Sequence, residues 1–232
     1  MSVISTFGKG CKGALALNAC KGSGAFCAVS CPFNINGAVW EEGQPCCYTE
    51  GPQKMYKNLV PFLDRHEKNL TMFLYGILSV MDKLQKAPWV RFSSFGSFPE
   101  QEELDSTQQG LLQQIAKGLQ AQIAAGKVHF PVETLGKYHY YKSLGFLPRL
   151  SLATAMDPYD PWIKKACVVG SLKDPMTARK EAARAKAKEL NDQGVIAVPC
   201  PAVGSKSKTM KCGKCTACGS SKVDMIVYPI HV

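Results

Sequence analysis

Apolar positions change their spacing twice along this chain, and the changes divide it into three textures. Residues 1–51 are rich in Gly, Cys and Ser and show little periodicity. From residue 53 the spacing turns helical, with Met55, Leu59, Phe62 and Leu63 on one face. Leu70, Phe73, Leu74, Ile77, Leu78, Met81 and Leu84 then form a wide apolar stripe. It predicts a helix over residues 69–86, ended by Pro88, which can neither donate a backbone hydrogen bond nor fit a helix interior.

From residue 89 onward short β-prone runs alternate with helical ones. Strands are predicted at residues 89–93, 127–132, 149–154, 166–169, 194–198 and 224–229. Between them, Leu111, Ile115, Leu119 and Ile123 recur four apart in a helix over residues 99–125, with Gly126 as its stop. A short helix over residues 135–144 ends at Gly145. A longer one follows Asp174-Pro175 and runs to residue 190, its start signalled by an acidic cap and a first-turn proline. Pro131 is an awkward occupant of a central strand. Strand–helix alternation of this kind predicts right-handed βαβ units and a mainly parallel sheet. About six strands are too few to close an eight-stranded barrel. The expected fold is therefore α/β, a partial, open parallel βα barrel, with an irregular Cys-rich N-terminal segment (1–51) and a barrel domain (52–232). A Cys loop (200–218) precedes the last strand. In such sheets ligand sites lie at the C-terminal strand ends. Here that edge would carry Ser93, Ser94, Glu133, Thr134, Asp157, Ser171 and Cys200.

Composition narrows this picture. The chain has 232 residues, 46% of them apolar, which supports a packed core and argues against wholesale disorder. Its start shows no long apolar run. Its longest apolar stretch, residues 72–81, is broken by Tyr75, Gly76 and Ser79 and is short of the ~20 residues that cross a bilayer. A reducing cytoplasm and no membrane partner are expected. In that compartment eleven cysteines point to metal or cluster ligation before disulfides. The formal charge is +10. Much of the excess falls late, at Lys180, Arg184, Lys186, Lys188, Lys206, Lys208, Lys211, Lys214 and Lys222. Such a balance admits a nucleic-acid partner, but it also fits a solvated helix face and lysines that offset a thiolate-bound cluster.

The cysteines fall into two groups. At the C-terminal end, Cys200-Pro201 is followed by Cys212-Gly213-Lys214-Cys215-Thr216-Ala217-Cys218-Gly219. Four thiolates at these spacings can close around one centre, and Gly213 and Gly219 allow the tight backbone such a loop needs. Zinc favours two C-x2-C pairs. A C-x2-C-x2-C run with a remote Cys-Pro is closer to the ferredoxin arrangement, which puts an iron–sulfur cluster of the [4Fe-4S] kind ahead of zinc. Near the other end stand Cys27, Cys31, Cys46 and Cys47. Cys167, in an apolar strand, reads as a buried thiol. Cys11 and Cys20 read equally as ligands or spare thiols.

Taken in order, several of these pieces resemble a bacteriophage family known as gene product eighty-eight, described as radical-SAM-like. The matching stretches are Cys27-Ala28-Val29-Ser30-Cys31-Pro32 and Cys47-Tyr48-Thr49-Glu50-Gly51-Pro52. Two strand pieces follow, from Val90 to Phe98 and from Arg149 to Asp157, then Cys200-Pro201-Ala202 and the Cys212, Cys215, Cys218 run. The resemblance spans most of residues 27–232. It implies a partial βα barrel, iron–sulfur chemistry and a phage source, without a well-defined reaction; work in the host cytoplasm with an unknown redox partner is the expectation that follows. Cys27, Cys31 and Cys47 would then ligate a second cluster. A radical-SAM enzyme should present C-x3-C-x2-C. Cys27 and Cys31 keep the first spacing, but Asn34 stands in the third place, so Cys46 or Cys47 would have to substitute. Three thiolates leave one iron open, as SAM ligation requires. A fourth thiolate, from Cys46 or Cys20, would close the site. A zinc-stabilised nucleic-acid-binding protein is the competing class.

The histidines add little at this level. His66 reads as a surface or interhelical residue, His129 as a satisfied core or edge histidine, and His139 as part of an aromatic cluster with Tyr138 and Tyr140, while His231 stands next to the terminus. Glu133 and Asp157 read equally as polar site residues or helix caps.

Overall fold

The architecture is taken from a computed structural model, which describes residues 4–6, 15–17, 70–92, 98–152, 163–171, 173–200 and 215–229. Eight strands form one sheet: β1 (Ile4–Thr6), β2 (Leu15–Leu17), β3 (Val90–Arg91), β4 (Val128–Val132), β5 (Pro148–Leu152), β6 (Lys165–Val169), β7 (Ala197–Pro199) and β8 (Met225–Pro229). Their spatial order is β1-β2-β3-β4-β5-β6-β8-β7. From β3 onward the six strands are parallel and curl into an open half-barrel, the partial parallel βα barrel expected from the alternating textures. Two features were not foreseen. β1 and β2 lie inside the segment read as irregular; they pair antiparallel with each other, and β2 adds to the sheet parallel to β3. The last strand also does not take the edge. β8 inserts between β6 and β7, so the stretch carrying the C-terminal cysteines is the crossover between two parallel neighbours.

The helices follow the apolar stripes with local departures. The helix expected over residues 69–86 is two, α1 (Leu70–Leu78) and α2 (Met81–Lys86). At the break, the Ser79 hydroxyl donates to the Gly76 carbonyl (2.8 Å), which competes with the helical ladder. The next helical stretch is likewise divided into α3 (Ser106–Gly118) and α4 (Gln120–Ala124). Asp105 caps α3 by accepting from the Gln108 amide (2.8 Å), and Gly126 ends the stretch at φ 69°. α5 (Leu135–Ser143) starts under Thr134, whose hydroxyl accepts from the Lys137 amide. α6 (Met176–Asp192) begins after Pro175, without the side-chain cap expected from Asp174. The Asp174 carboxylate accepts from the Ser171 amide (3.2 Å) and so closes the preceding turn instead.

Two apolar clusters fix these helices to the convex face. Phe73, Leu74 and Ile77 of α1, Leu112 and Ile115 of α3, and Tyr138 and Tyr141 of α5 pack with Val90, Phe92, Val128, Phe130 and Leu150. A second cluster joins Ala183, Ala187 and Leu190 of α6 to Cys167, Ala197, Met225 and Val227. Cys167 is fully buried, as its apolar strand implies. Pro131 sits inside β4 after all. In a parallel ladder its missing N–H would face β3, which ends at Arg91, so no strand bond is forfeited on that side. Among the described residues no helix is long and apolar enough to cross a membrane.

Candidate functional site

Side chains alternate along a strand, so every residue flanked by convex core positions turns to the concave face. By that alternation and the strand register, Arg91 of β3, His129 and Pro131 of β4, Arg149 of β5, and Ile226 and Tyr228 of β8 share the concave face. The concave wall of this half-barrel therefore carries two guanidiniums, an imidazole and a phenol. The turn Ala217–Gly219, with Cys215 just before it, packs over this wall.

Arg149 holds that turn in place. Its side chain is 1% exposed, and every hydrogen bond it makes among the described residues goes to a carbonyl oxygen. Nε donates to Cys218 (3.0 Å), Nη1 to Lys165 (3.0 Å) and Asp224 (3.4 Å), and Nη2 to Ala217 (3.4 Å), Ser220 (3.1 Å) and Val223 (3.2 Å). Burial lowers the Arg149 pKa, opposed by the nearby Cys218, Tyr228, Tyr138 and Asp224. Its direct partners are carbonyl dipoles, and the nearby Asp224 carboxylate is itself paired with Lys164, so a further negative charge brought next to the guanidinium is favoured. Asp224 tightens the same corner. Its carboxylate pairs with Lys164 Nζ (2.6 Å) and accepts from the Ile196 amide (3.0 Å), at the start of β8.

Gly219 lets the turn come this close. Its backbone does not need a left-handed angle; it needs space. A Cβ there would be driven into the carbonyl oxygens of Gly126 and Val128, at the entry to β4. The turn thus reaches from the entry to β4, where Gly219 packs, to the C-terminal half of β8, where Cys218 meets Tyr228. Cys200, directly after β7, keeps its place at the end of a strand, where its amide donates to Val227 O (2.8 Å).

Cys218 makes the most specific contact of the thiols. Its Sγ lies 3.0 Å from the Tyr228 hydroxyl. Burial raises the Cys218 pKa; the Tyr228 hydrogen bond and the two arginines, Arg149 and Arg91, pull it back, and Cys215 adds to the rise. Tyr228 is pushed well above its ordinary value by burial, by Cys218 and by Cys200. Its hydroxyl therefore keeps its proton and can donate to a thiolate sulfur.

His129 is 4% exposed and stacks on Trp89 with ring centroids 6.0 Å apart. Burial, with Arg91 and Arg149 nearby, lowers its pKa well below the ordinary histidine value. Both ring nitrogens and Arg91 Nε are buried without a hydrogen-bond partner among the described residues. The satisfied histidine expected at this position is therefore an unsatisfied one. His139, by contrast, is exposed and lies edge-on to Tyr138, at 5.6 Å.

Of the cysteines expected to bind a centre, Cys200, Cys215 and Cys218 are described, half-buried and not disulfide-bonded. Cys212 lies outside the described residues, as do Cys27, Cys31, Cys46 and Cys47, and also Cys11, Cys20 and His66. Among the described residues no group of three His, Cys, Asp or Glu side chains is gathered closely enough to hold a metal ion. Of the residues placed on the C-terminal edge, Glu133 pairs with the buried Lys137 (3.4 Å) and Thr134 donates to Glu100 (2.8 Å) while capping α5. Ser171 closes a turn; Ser93, Ser94 and Asp157 lie outside the described residues. Sequence reasoning passed over Arg91, Arg149 and Tyr228. Their signal is a polar residue between apolar neighbours in strands buried on both faces: V-R-F, P-R-L and V-Y-P.

Compared with known proteins, the chain matches no family model, no curated sequence and no solved structure.

Proposed function

We propose that this is an iron–sulfur protein of phage origin working in the host cytoplasm, in which Cys200, Cys212, Cys215 and Cys218 hold a [4Fe-4S] cluster at the concave wall. The observation that carries the reading is the Cys218 thiol, 3.0 Å from the Tyr228 hydroxyl and beside Arg149 and Arg91. A metal-free thiol here is kept protonated by burial. A metal would strip that proton, and the arginines and the phenol would then stabilise the resulting sulfur anion. The C-x2-C-x2-C spacing supports iron and sulfide over zinc. Cys27, Cys31 and Cys47, with Cys46, would serve a second centre of the same kind. When bound, such a centre supplies one-electron chemistry, suited to electron transfer or to a radical-SAM-like role.

The part of the basic excess that falls on α6 has a plainer account than nucleic acid; Lys206, Lys208, Lys211 and Lys214 lie outside the described residues. On α6, Arg184 and Lys188 share the exposed surface with Glu181, Glu189 and Asp192, and Lys186 pairs with Glu189 at 2.6 Å. This is a mixed, solvated helix face.

Anaerobic purification tests the proposal. Brown protein that bleaches on oxidation supports it, and colourless protein with stoichiometric zinc contradicts it. Cys215→Ser should lower both iron content and melting temperature, because ligation and folding are coupled. SAM chemistry requires 5′-deoxyadenosine to form after reduction, and its absence together with no SAM binding removes that branch.

A further inference from the structure

We propose that Arg91 and His129 form a binding subsite for an oxyanion, the phosphate or carboxylate group of a small ligand, on the concave wall of the half-barrel. The two residues are direct register partners on adjacent parallel strands, so their side chains leave the sheet side by side on the same face. Three of their nitrogens, Arg91 Nε and both ring nitrogens of His129, are buried and have no partner among the described residues. Folded proteins rarely leave buried polar atoms unpaired, because each forfeits its bonds to water without replacement. Two N–H donors, one from each residue, together with the acceptor nitrogen of a neutral imidazole, mark a place that something else completes.

The electrostatics say which kind of group. The charges that bear on His129 are Arg91 and Arg149, both positive, and they help to hold its imidazole neutral. Arg149 spends its donors on carbonyls, and the carboxylate that bears on it, Asp224, is itself paired with Lys164, so among the described residues no carboxylate bonds its guanidinium at the same wall. The site is thus short of a negative charge and of hydrogen-bond acceptors together. A water molecule would meet the second need alone; a metal cation would meet neither beside two arginines. An oxyanion meets both, accepting from Arg91 Nε–H and from a His129 N–H. With His129 only 4% exposed, the ligand group is enclosed, which suits a small molecule and excludes a nucleic-acid duplex. The inference does not depend on what the cysteines hold.

The test is thermal unfolding of the full-length protein in increasing inorganic phosphate, citrate or chloride at matched ionic strength. Expected is a saturable rise in melting temperature with phosphate or with citrate and none with chloride; whichever acts identifies the ligand group. His129→Phe keeps the ring stack on Trp89 but removes both nitrogens. Without added oxyanion it should melt at or above the wild-type temperature, and it should lose the oxyanion response. Arg91→Met should lose the response as well. A response of the same size in chloride, or one retained in both variants, reduces the effect to general salt and overturns the proposal. So does a His129→Phe protein that melts several degrees lower without oxyanion, because its nitrogens would then be satisfied within the protein.

Discussion

Replacing Arg149 with Met removes the buried guanidinium while keeping most of the volume of its stem. Six carbonyl bonds are lost. Two of those oxygens keep a backbone donor: Asp224 O accepts from the Lys165 amide (2.8 Å) and Ala217 O from the Ser220 amide (3.2 Å). Lys165 O belongs to β6, which is paired on both sides, and the carbonyls of Cys218, Ser220 and Val223 lose the donor that Arg149 supplies. At about 1–3 kcal/mol for each buried group left unsatisfied, the loss comes to about 3–9 kcal/mol. Removing a buried cation returns several kcal/mol of desolvation. The carbonyl dipoles already supply part of that solvation, so the refund is smaller than for a bare charge. A net destabilisation of about 3 kcal/mol follows, or about 6–12 °C in melting temperature for a chain of this size. Thermal unfolding followed by circular dichroism reads the global effect. Hydrogen exchange at the Gly219 and Ser220 amides, which close the 217–219 turn onto Thr216 and Ala217, reads the local one. Arg149→Lys should rescue little, because a single ammonium cannot span carbonyls from Lys165 to Val223. A fall below about 2 °C with unchanged exchange at both amides would refute the claim that Arg149 anchors the cysteine turn.

Three further outcomes are expected. Gly219→Ala should destabilise by about 2 kcal/mol or more in urea unfolding, because the new methyl meets backbone at Gly126 and Val128 rather than a movable side chain. His129 has a folded pKa below its unfolded value, so the unfolded chain takes up the proton first. Stability present above about pH 6.5 should decline as the pH falls through that value, by at most about 1.4 kcal/mol per unit, and His129→Phe should remove this component of the profile. Tyr228→Phe deletes a hydrogen bond that lowers the Cys218 pKa, so alkylation of Cys218 in metal-free protein at fixed pH should slow; an unchanged rate would separate the phenol from the thiol.

The half-barrel was legible because its helices and strands carry different periods. Val128, Phe130 and Val132 alternate with His129 and Pro131, and Leu111, Ile115 and Leu119 recur four apart. β1 and β2 were not legible, since three residues each are too few to establish a period. Nor was the insertion of β8 between β6 and β7, because lateral strand order is set by tertiary packing and leaves no local mark. The cysteine spacing was plain, whereas its surroundings were not. Arg149 looks like any strand residue until carbonyls from two distant segments converge on it. Gly219 was read as a tight-turn glycine, yet its reason is the approach of another strand's backbone. His129 appeared an ordinary core histidine, and only the three-dimensional neighbourhood shows that its nitrogens find no partner among the described residues.

The central claim is that the cysteines carry iron and sulfide. Protein purified and held without oxygen, then assayed for iron, acid-labile sulfide and zinc per chain, tests it most directly. The account predicts iron and sulfide in equal amounts, about four of each per cluster, falling when Cys215 or Cys218 is changed to Ser. Zinc at one per chain with no sulfide, or no metal at all in protein that folds and melts normally, would contradict it.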